Sequence, residues 1–290
     1  MDLWEEIVRI RRSGGKAVLA TIVRRTGSVP RKDAAKMLIR EDGTSLGSVG
    51  GGCVEGEVWQ QAREVLREGR PRVVRFDLNA DDAAEDGLVC GGSVEIFLEP
   101  IMSDPKLVIL GAGHLGQALA RLGHFIGFET IVVDDREQFA NRERFPDAKE
   151  IYVLPFSQVA ESVPIDGESY VVVVTRGHQY DLVATEQAVR TPARYVGLVG
   201  SRRKIKLIVE DLLARGIPPK AFENLYSPIG LDIGSETPEE IAVAVIAEII
   251  ALRKGQHQRT PKQEFVLRVI RDWASQHAEA GPEATVAESP

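Results

Sequence analysis

Cysteine is scarce in these 290 residues: only Cys53 and Cys90 occur. Two thiols cannot build a disulfide framework or a four-cysteine zinc site. No His, Asp or Glu set at zinc spacing surrounds either one, so no free metal ion is expected. Long apolar runs are also missing. The richest stretch, IAVAVIAEIIAL (241–252), is shorter than a membrane span and carries Glu248 in its middle. The opening MDLWEEIVRIRR places acidic residues where a signal peptide needs a positive region, and no apolar core follows. An excess of basic charge is absent too. The net charge of −7 argues against a general nucleic-acid binder. No internal repeat is visible. These absences leave a cytoplasmic, globular protein with no membrane and no nucleic-acid partner. Its composition is ordinary, 43 % apolar and 27 % charged, and its length suits two domains.

The first hundred residues alternate between short helices and strands. Trp4, Ile7 and Val8 share helical spacing up to Gly14-Gly15. AVLATIV (17–23) and KMLIRE (36–41) read as strands flanking a loop over 26–35, and Asp42-Gly43 signals a hairpin turn. A helix follows Gly50-Gly51-Gly52 and runs to about Glu68, with Val54, Val58, Ala62, Val65 and Leu66 on one side. RVVRFDL (72–78) and SVEIFLE (93–99) are further strands, separated by the acidic loop 79–87. The result is a small α+β domain over 1–102. PIMSDP (100–105) reads as a linker.

Beyond it the pattern becomes strand, helix, strand. Val/Ile runs at KLVIL, TIVVDD, EIYVL, YVVVVT and YVGLVG suit strands buried on both faces, hence a parallel Rossmann-type sheet over 105–255. A C-terminal helix and a small, polar tail without fixed structure account for 256–290. The fold class is therefore α/β, a C-terminal Rossmann-type domain joined to a smaller N-terminal α+β domain.

The turn LGAGHLG holds Gly111, Gly113, His114 and Gly116 between a strand and a helix. In that context the first glycine permits a tight turn and the second lets backbone approach a pyrophosphate. The third allows close packing of helix on strand. Asp134 ends the next strand, where a carboxylate accepts from a ribose hydroxyl and repels a 2′-phosphate, so any dinucleotide here should resemble NAD. A Rossmann fold without a nucleotide is the plain structural alternative.

Other loops reach the same strand ends. Arg176 and His178 follow YVVVVT and offer anion binding and proton transfer, unless Asp181 merely caps the next helix and His178 is a solvated loop residue. Ser201, Arg202 and Arg203 follow YVGLVG; Ser201 caps a helix, and the arginines either hold an oxyanion or form a solvated face. Asp232, between two glycines of SPIGLDIGS, is a weaker candidate for cofactor binding. Thr237, Pro238 and Glu240 form a capping box, a structural motif. Cys53 opens a helix beside Gly50, Gly51, Gly52 and Glu55, a position that favours a thiolate, and Cys90 sits before Gly91-Gly92. Both thiols are equally compatible with small buried residues in glycine turns.

In combination these segments resemble the XdhC/CoxI family, accessory proteins of xanthine dehydrogenase and related molybdenum hydroxylases. The carriers are GSVPR, DGTSLGSVGGGCVEGEV, GLVCGGSVEIFLEP, VILGAGHLGQALARLG, VVVVTRGHQYD, YVGLVGSRRK and SPIGLDIGSETPEEIAVAVIAEI, in order from about Leu3 to Arg253. The resemblance implies a chaperone that carries the molybdenum cofactor and supports its sulfuration with a cysteine desulfurase as donor. It then delivers the cofactor to the apo-hydroxylase. Cys53 and Glu55 would meet the molybdenum or sulfur end with Cys90 as partner. Ser201, Arg202 and Arg203 would hold phosphate, and Arg176 and His178 would contact the pterin. The glycine turn and Asp134 would hold a nucleotide portion, NAD or another nucleotide. A symmetric homodimer is the simplest assembly. Two alternatives remain: an NAD-dependent oxidoreductase with His178 as acid/base, and a regulatory protein that senses a nucleotide. Neither would need the two thiols.

Overall fold

The computed structural model describes residues 2–27, 35–50, 52–78, 92–255 and 264–278. Cys90, Gly51, the 28–34 part of the first loop, the acidic loop 79–87 and the expected tail after 278 lie outside them, as does the side chain of Cys53. The chain divides into two compact units, Met1–Asp104 and Pro105–Pro290.

In the first unit α1 (Leu3–Ser13) precedes β1 (Ala17–Gly27), β2 (Lys36–Arg40), β3 (Ser45–Gly47), α2 (Gly52–Glu68), β4 (Arg72–Leu78) and β5 (Gly92–Ile101). The strands form one antiparallel sheet in the order β3-β2-β1-β5-β4. The Asp42-Gly43 turn is formed as expected: Gly43 takes a φ of 85°, and Arg40 N–H donates to Thr44 O at 2.8 Å. Alternation along the strands splits their side chains between two layers. Val18, Ala20, Ile22, Ile39, Ile96 and Leu98 face Val58, Ala62 and Val65 of α2. Ala17, Leu19 and Leu38 face Ile10, with Leu3 and Ile7 packed beside it.

Two expectations change here. The buried face of α1 is Leu3, Ile7 and Ile10, whereas Trp4 and Val8 point outward at 56 % and 46 % exposure. Between the buried positions sits Glu6, fully enclosed. β5 also runs through Pro100 to Ile101, well into the expected linker. Proline is tolerated there because β4 begins only at Arg72, opposite Leu98, leaving no strand neighbour on that side to receive an N–H at Pro100.

The second unit begins with β6 (Lys106–Leu110), α3 (His114–Phe125), β7 (Glu129–Asp134), β8 (Glu150–Val153) and the single turn α4 (Val159–Ser162). It continues with β9 (Ser169–Val173), α5 (His178–Val189), β10 (Tyr195–Leu198), α6 (Arg202–Ala214), β11 (Leu225–Tyr226), α7 (Pro238–Arg253) and α8 (Glu264–Ala278). All strand pairs are parallel, in the order β11-β10-β9-β6-β7-β8. β6 is central: the chain leaves it toward β7 and β8, then returns to β9 on its other side, so the strand order reverses at β6. In doubly wound sheets ligands bind beyond the carboxyl ends of the strands at that reversal.

Both faces of this sheet are covered. Val108, Leu110, Val133, Val171 and Val173 pack under α5, α6 and α8. Leu107, Ile109, Val132, Tyr170 and Tyr195 pack under α3 and α7. The fold class is thus α/β as read from the sequence, a parallel Rossmann sheet following an antiparallel α+β unit. Among the described residues, no helix is long and apolar enough to cross a membrane.

Candidate functional site

The glycine turn between β6 and α3 shows why each glycine stands where it does. Gly111 has φ 124°, and a Cβ there would lie 2.4 Å from the Val174 carbonyl oxygen. A Cβ on Gly116 would lie 2.1 Å from the Gly111 carbonyl oxygen, so α3 packs directly on the turn. Gly113 differs: nothing lies within 4 Å of its missing Cβ, and it caps α3 without a side-chain hydrogen bond. The first N–H groups of α3 have no acceptors within the helix, the arrangement that receives a phosphate. His114, the first residue of α3, is exposed.

Asp134 closes β7 beside this turn, and its carboxylate is already in full use. One oxygen accepts Ala112 N–H at 2.8 Å and Arg136 Nη2 at 3.0 Å. The other accepts Arg136 N–H at 3.1 Å and Nε at 2.8 Å. A carboxylate has about four acceptor positions, so none is left for a ribose. Asp134 instead braces the glycine turn from below. From the other side Arg144 Nη2 donates to Ala112 O at 3.3 Å. Both arginines also approach the Phe139 ring, Arg136 at 3.8 Å and Arg144 at 5.2 Å from its centre. Sequence reading missed Arg136, Phe139 and Arg144. Only Arg136 carried any signal, through its place two residues beyond the strand-ending acid.

Arg176 follows β9 and makes a two-pronged ion pair with Asp135, with Nη2 donating to Oδ2 at 2.7 Å. Its guanidinium also lies 3.7 Å over the Tyr180 ring. The arginine beside it holds the Asp135 carboxyl below the usual range. His178 begins α5 and is exposed. Asp181 does not cap α5, for Gly177 stands at that place. Asp181 is buried in the first turn, where it accepts Thr175 O–H at 2.6 Å and pairs with Lys204. Ser201 caps α6, accepting Lys204 N–H at 3.3 Å, and Arg202 and Arg203 are exposed at the same end. Asp232 is exposed on its loop. The Thr237–Glu240 capping box is present at α7 with both reciprocal bonds.

In the first unit the chain enters α2 through Ser48, Val49 and Gly50. Gly50 has φ 147° with open space where a side chain would stand. Glu55 reaches back to this segment: its carboxylate accepts Ser48 O–H at 2.6 Å and Val49 N–H at 3.2 Å. Glu55 therefore fixes the loop that leads into Gly52 and Cys53, the first two residues of α2. Among the described residues no cluster of three potential metal ligands occurs.

The architecture defines a two-unit protein, an antiparallel α+β unit followed by a Rossmann unit with an open glycine turn. Residues 107–249 match the XdhC Rossmann domain, and residues 10–77 match the XdhC and CoxI family. The chain belongs to the XdhC/CoxI family. Among its relatives, the uncharacterized protein YqeB of Escherichia coli is 32 % identical over 88 % of this chain. This chain spans only 47 % of YqeB's length. A Bacillus subtilis protein described as a probable subunit of xanthine dehydrogenase is 27 % identical over 82 % of this chain and 94 % of its own. The molybdenum cofactor insertion chaperone PaoD of Escherichia coli is 26 % identical over 85 % of this chain and 86 % of its own.

Proposed function

We propose that this chain is an accessory protein that binds the molybdenum cofactor as cargo, supports its sulfuration and delivers it to an apo molybdenum hydroxylase of the xanthine dehydrogenase type. The observation that carries the reading is the glycine turn at the reversal of strand order, where Gly113 leaves clear the place a side chain would fill; a phosphate there would meet the backbone N–H groups that open α3. Every form of a phosphorylated pterin brings such a group. Kinship with a relative named as a molybdenum cofactor insertion chaperone supports the same cargo.

The residues divide the work. Gly111, Gly113, His114 and Gly116 receive a phosphate or nucleotide portion, NAD being one candidate. Ser201, Arg202 and Arg203 add a capped helix start and two cations for a second oxyanion. Arg176 and His178, after β9, face the pterin, and Asp232, after β11, is a weaker candidate contact. Cys53, with Gly50 to Gly52 before it, meets the molybdenum or sulfur end, with Cys90 as its partner. Glu55 holds the approach to Cys53 through Ser48 and Val49. The sulfur donor is a cysteine desulfurase, and the working assembly is a homodimer in the cytoplasm. An NAD-dependent oxidoreductase gains no support from the end of β7, where Asp134 has no acceptor position left for a ribose hydroxyl.

The test is to purify the protein from a host that makes the molybdenum cofactor and from one that cannot, then release and quantify pterin and nucleotide. We expect near-stoichiometric pterin only from the first host, lost in Cys53→Ser with the fold intact. Nucleotide without pterin, unchanged by Cys53→Ser, would overturn the carrier reading.

A further inference from the structure

The ion pair between Arg176 and Asp135 occupies an unusual place. β7 and β9 flank β6 on its two sides. Asp135 follows β7 and Arg176 follows β9. A bond between them crosses the carboxyl end of β6, from which the glycine turn departs. Neighbouring strands are about 4.8 Å apart, so the pair bridges roughly 10 Å. Asp134 and Arg136 stand close by, with Arg176 Nη1 3.9 Å from Asp134 Oδ1 and Arg136 Nε 3.9 Å from Asp135 Oδ1. The two acids and two arginines form one cluster of zero net charge.

The members of this cluster are unequal. Asp134 is 1 % exposed and tied to the backbone of the turn, and Arg136 serves it through three bonds. Asp135 and Arg176 are 24 % and 31 % exposed and hold only one another strongly. Tyr180 keeps the guanidinium plane fixed from its other side. A planar guanidinium fork receives a phosphate with the same two-pronged geometry as a carboxylate.

We infer that Arg176 is a phosphate clamp held in reserve by Asp135: a phosphate group arriving at the Gly111–Gly116 turn takes the guanidinium away from the carboxylate and opens the strap across β6. The ligand class is a pyrophosphate-bearing nucleotide or pterin, recognised through its phosphates, with no ribose contact from Asp134. The inference rests on reading the glycine turn as a phosphate site. It moves Arg176 from the pterin to the phosphate, and it makes Asp135 an affinity-setting competitor.

The experiment is calorimetric titration of the full chain with inorganic pyrophosphate and with NAD at low ionic strength. Wild type, Asp135→Asn, Arg176→Gln and the double variant are compared, with circular dichroism as the check on folding. Asp135→Ser stands in should the asparagine variant fold poorly. Asp135→Asn should tighten pyrophosphate binding roughly two- to fivefold, the scale set by releasing one partly exposed ion pair. Arg176→Gln should weaken it, and the double variant should bind no better than Arg176→Gln. If wild type binds and removal of Asp135 leaves affinity equal or lower, the clamp is overturned while the phosphate site stands. If no form binds pyrophosphate or NAD, the clamp and the phosphate reading of the turn fall together. The pterin assay on Cys53→Ser is independent of both.

Discussion

Glu6 has no exposed surface yet carries a charge. Arg9 approaches it with Nε at 2.7 Å and Nη2 at 2.6 Å, and Arg40 with Nε at 2.6 Å. These bonds, that to Arg9 first, bring its carboxyl from an ordinary 4.5 down to about 2. A carboxyl whose folded value is depressed contributes stability that is complete above its unfolded value and lost as pH falls through its folded one. Glu6→Gln should therefore lower the melting temperature of the first unit at pH 7. The gap to wild type should narrow from pH 4.5 downward and close near pH 2. Thermal melts across that range decide it, and a gap constant with pH would rule out the ion pair as its source. Nothing in the sequence announced Glu6. Its partner Arg40 lies on another element, and helical spacing alone gave Trp4 and Val8 to the buried side. The same limit applies to Asp134: its position at the end of β7 was legible, whereas its occupation by Arg136 and Ala112 N–H depends on the path of the chain after the strand.

Elements were legible in proportion to the length of their pattern. The Val/Ile runs of β6, β7, β9 and β10 and the capping box of α7 needed no tertiary information. β3 and β11, at three and two residues, are too short for any periodicity to show. Glu248 interrupts the apolar run of α7, and its reason is tertiary. Its carboxylate accepts the Tyr195 O–H at 2.6 Å beneath the sheet, where burial pushes that phenol well above its ordinary value. α7 itself is apolar nearly all round, so its start is set less by amphipathicity than by its cap. Thr237 accepts Glu240 N–H at 3.2 Å, and Glu240 accepts Thr237 N–H at 3.1 Å. Thr237→Ala should cost about 1 kcal/mol, read as a lower denaturation midpoint of the second unit at unchanged slope. An effect under a few tenths would mean that packing under the sheet alone fixes the start of the helix.

The two units each enclose apolar clusters of their own. Those around Ile96 and Leu38 are made only of residues before 104, and those around Val171 and Tyr170 only of residues after it. Cooperative unfolding follows the continuity of a core, so two cores on either side of one chain position call for two transitions. Scanning calorimetry of the whole chain should resolve two. Glu6→Gln should move only one of them and Thr237→Ala only the other, because the two residues lie in different cores and share no partner. The proposed chemistry has the same division, with the Cys53 loop before residue 104 and the phosphate turn after it. Pyrophosphate, if it binds at Gly111–Gly116, should raise only the transition that Thr237→Ala lowers, by an amount that grows with ligand concentration. A single transition moved equally by both substitutions would mean that the units unfold together, and the separate assignment of thiol and phosphate chemistry would then need a test other than stability.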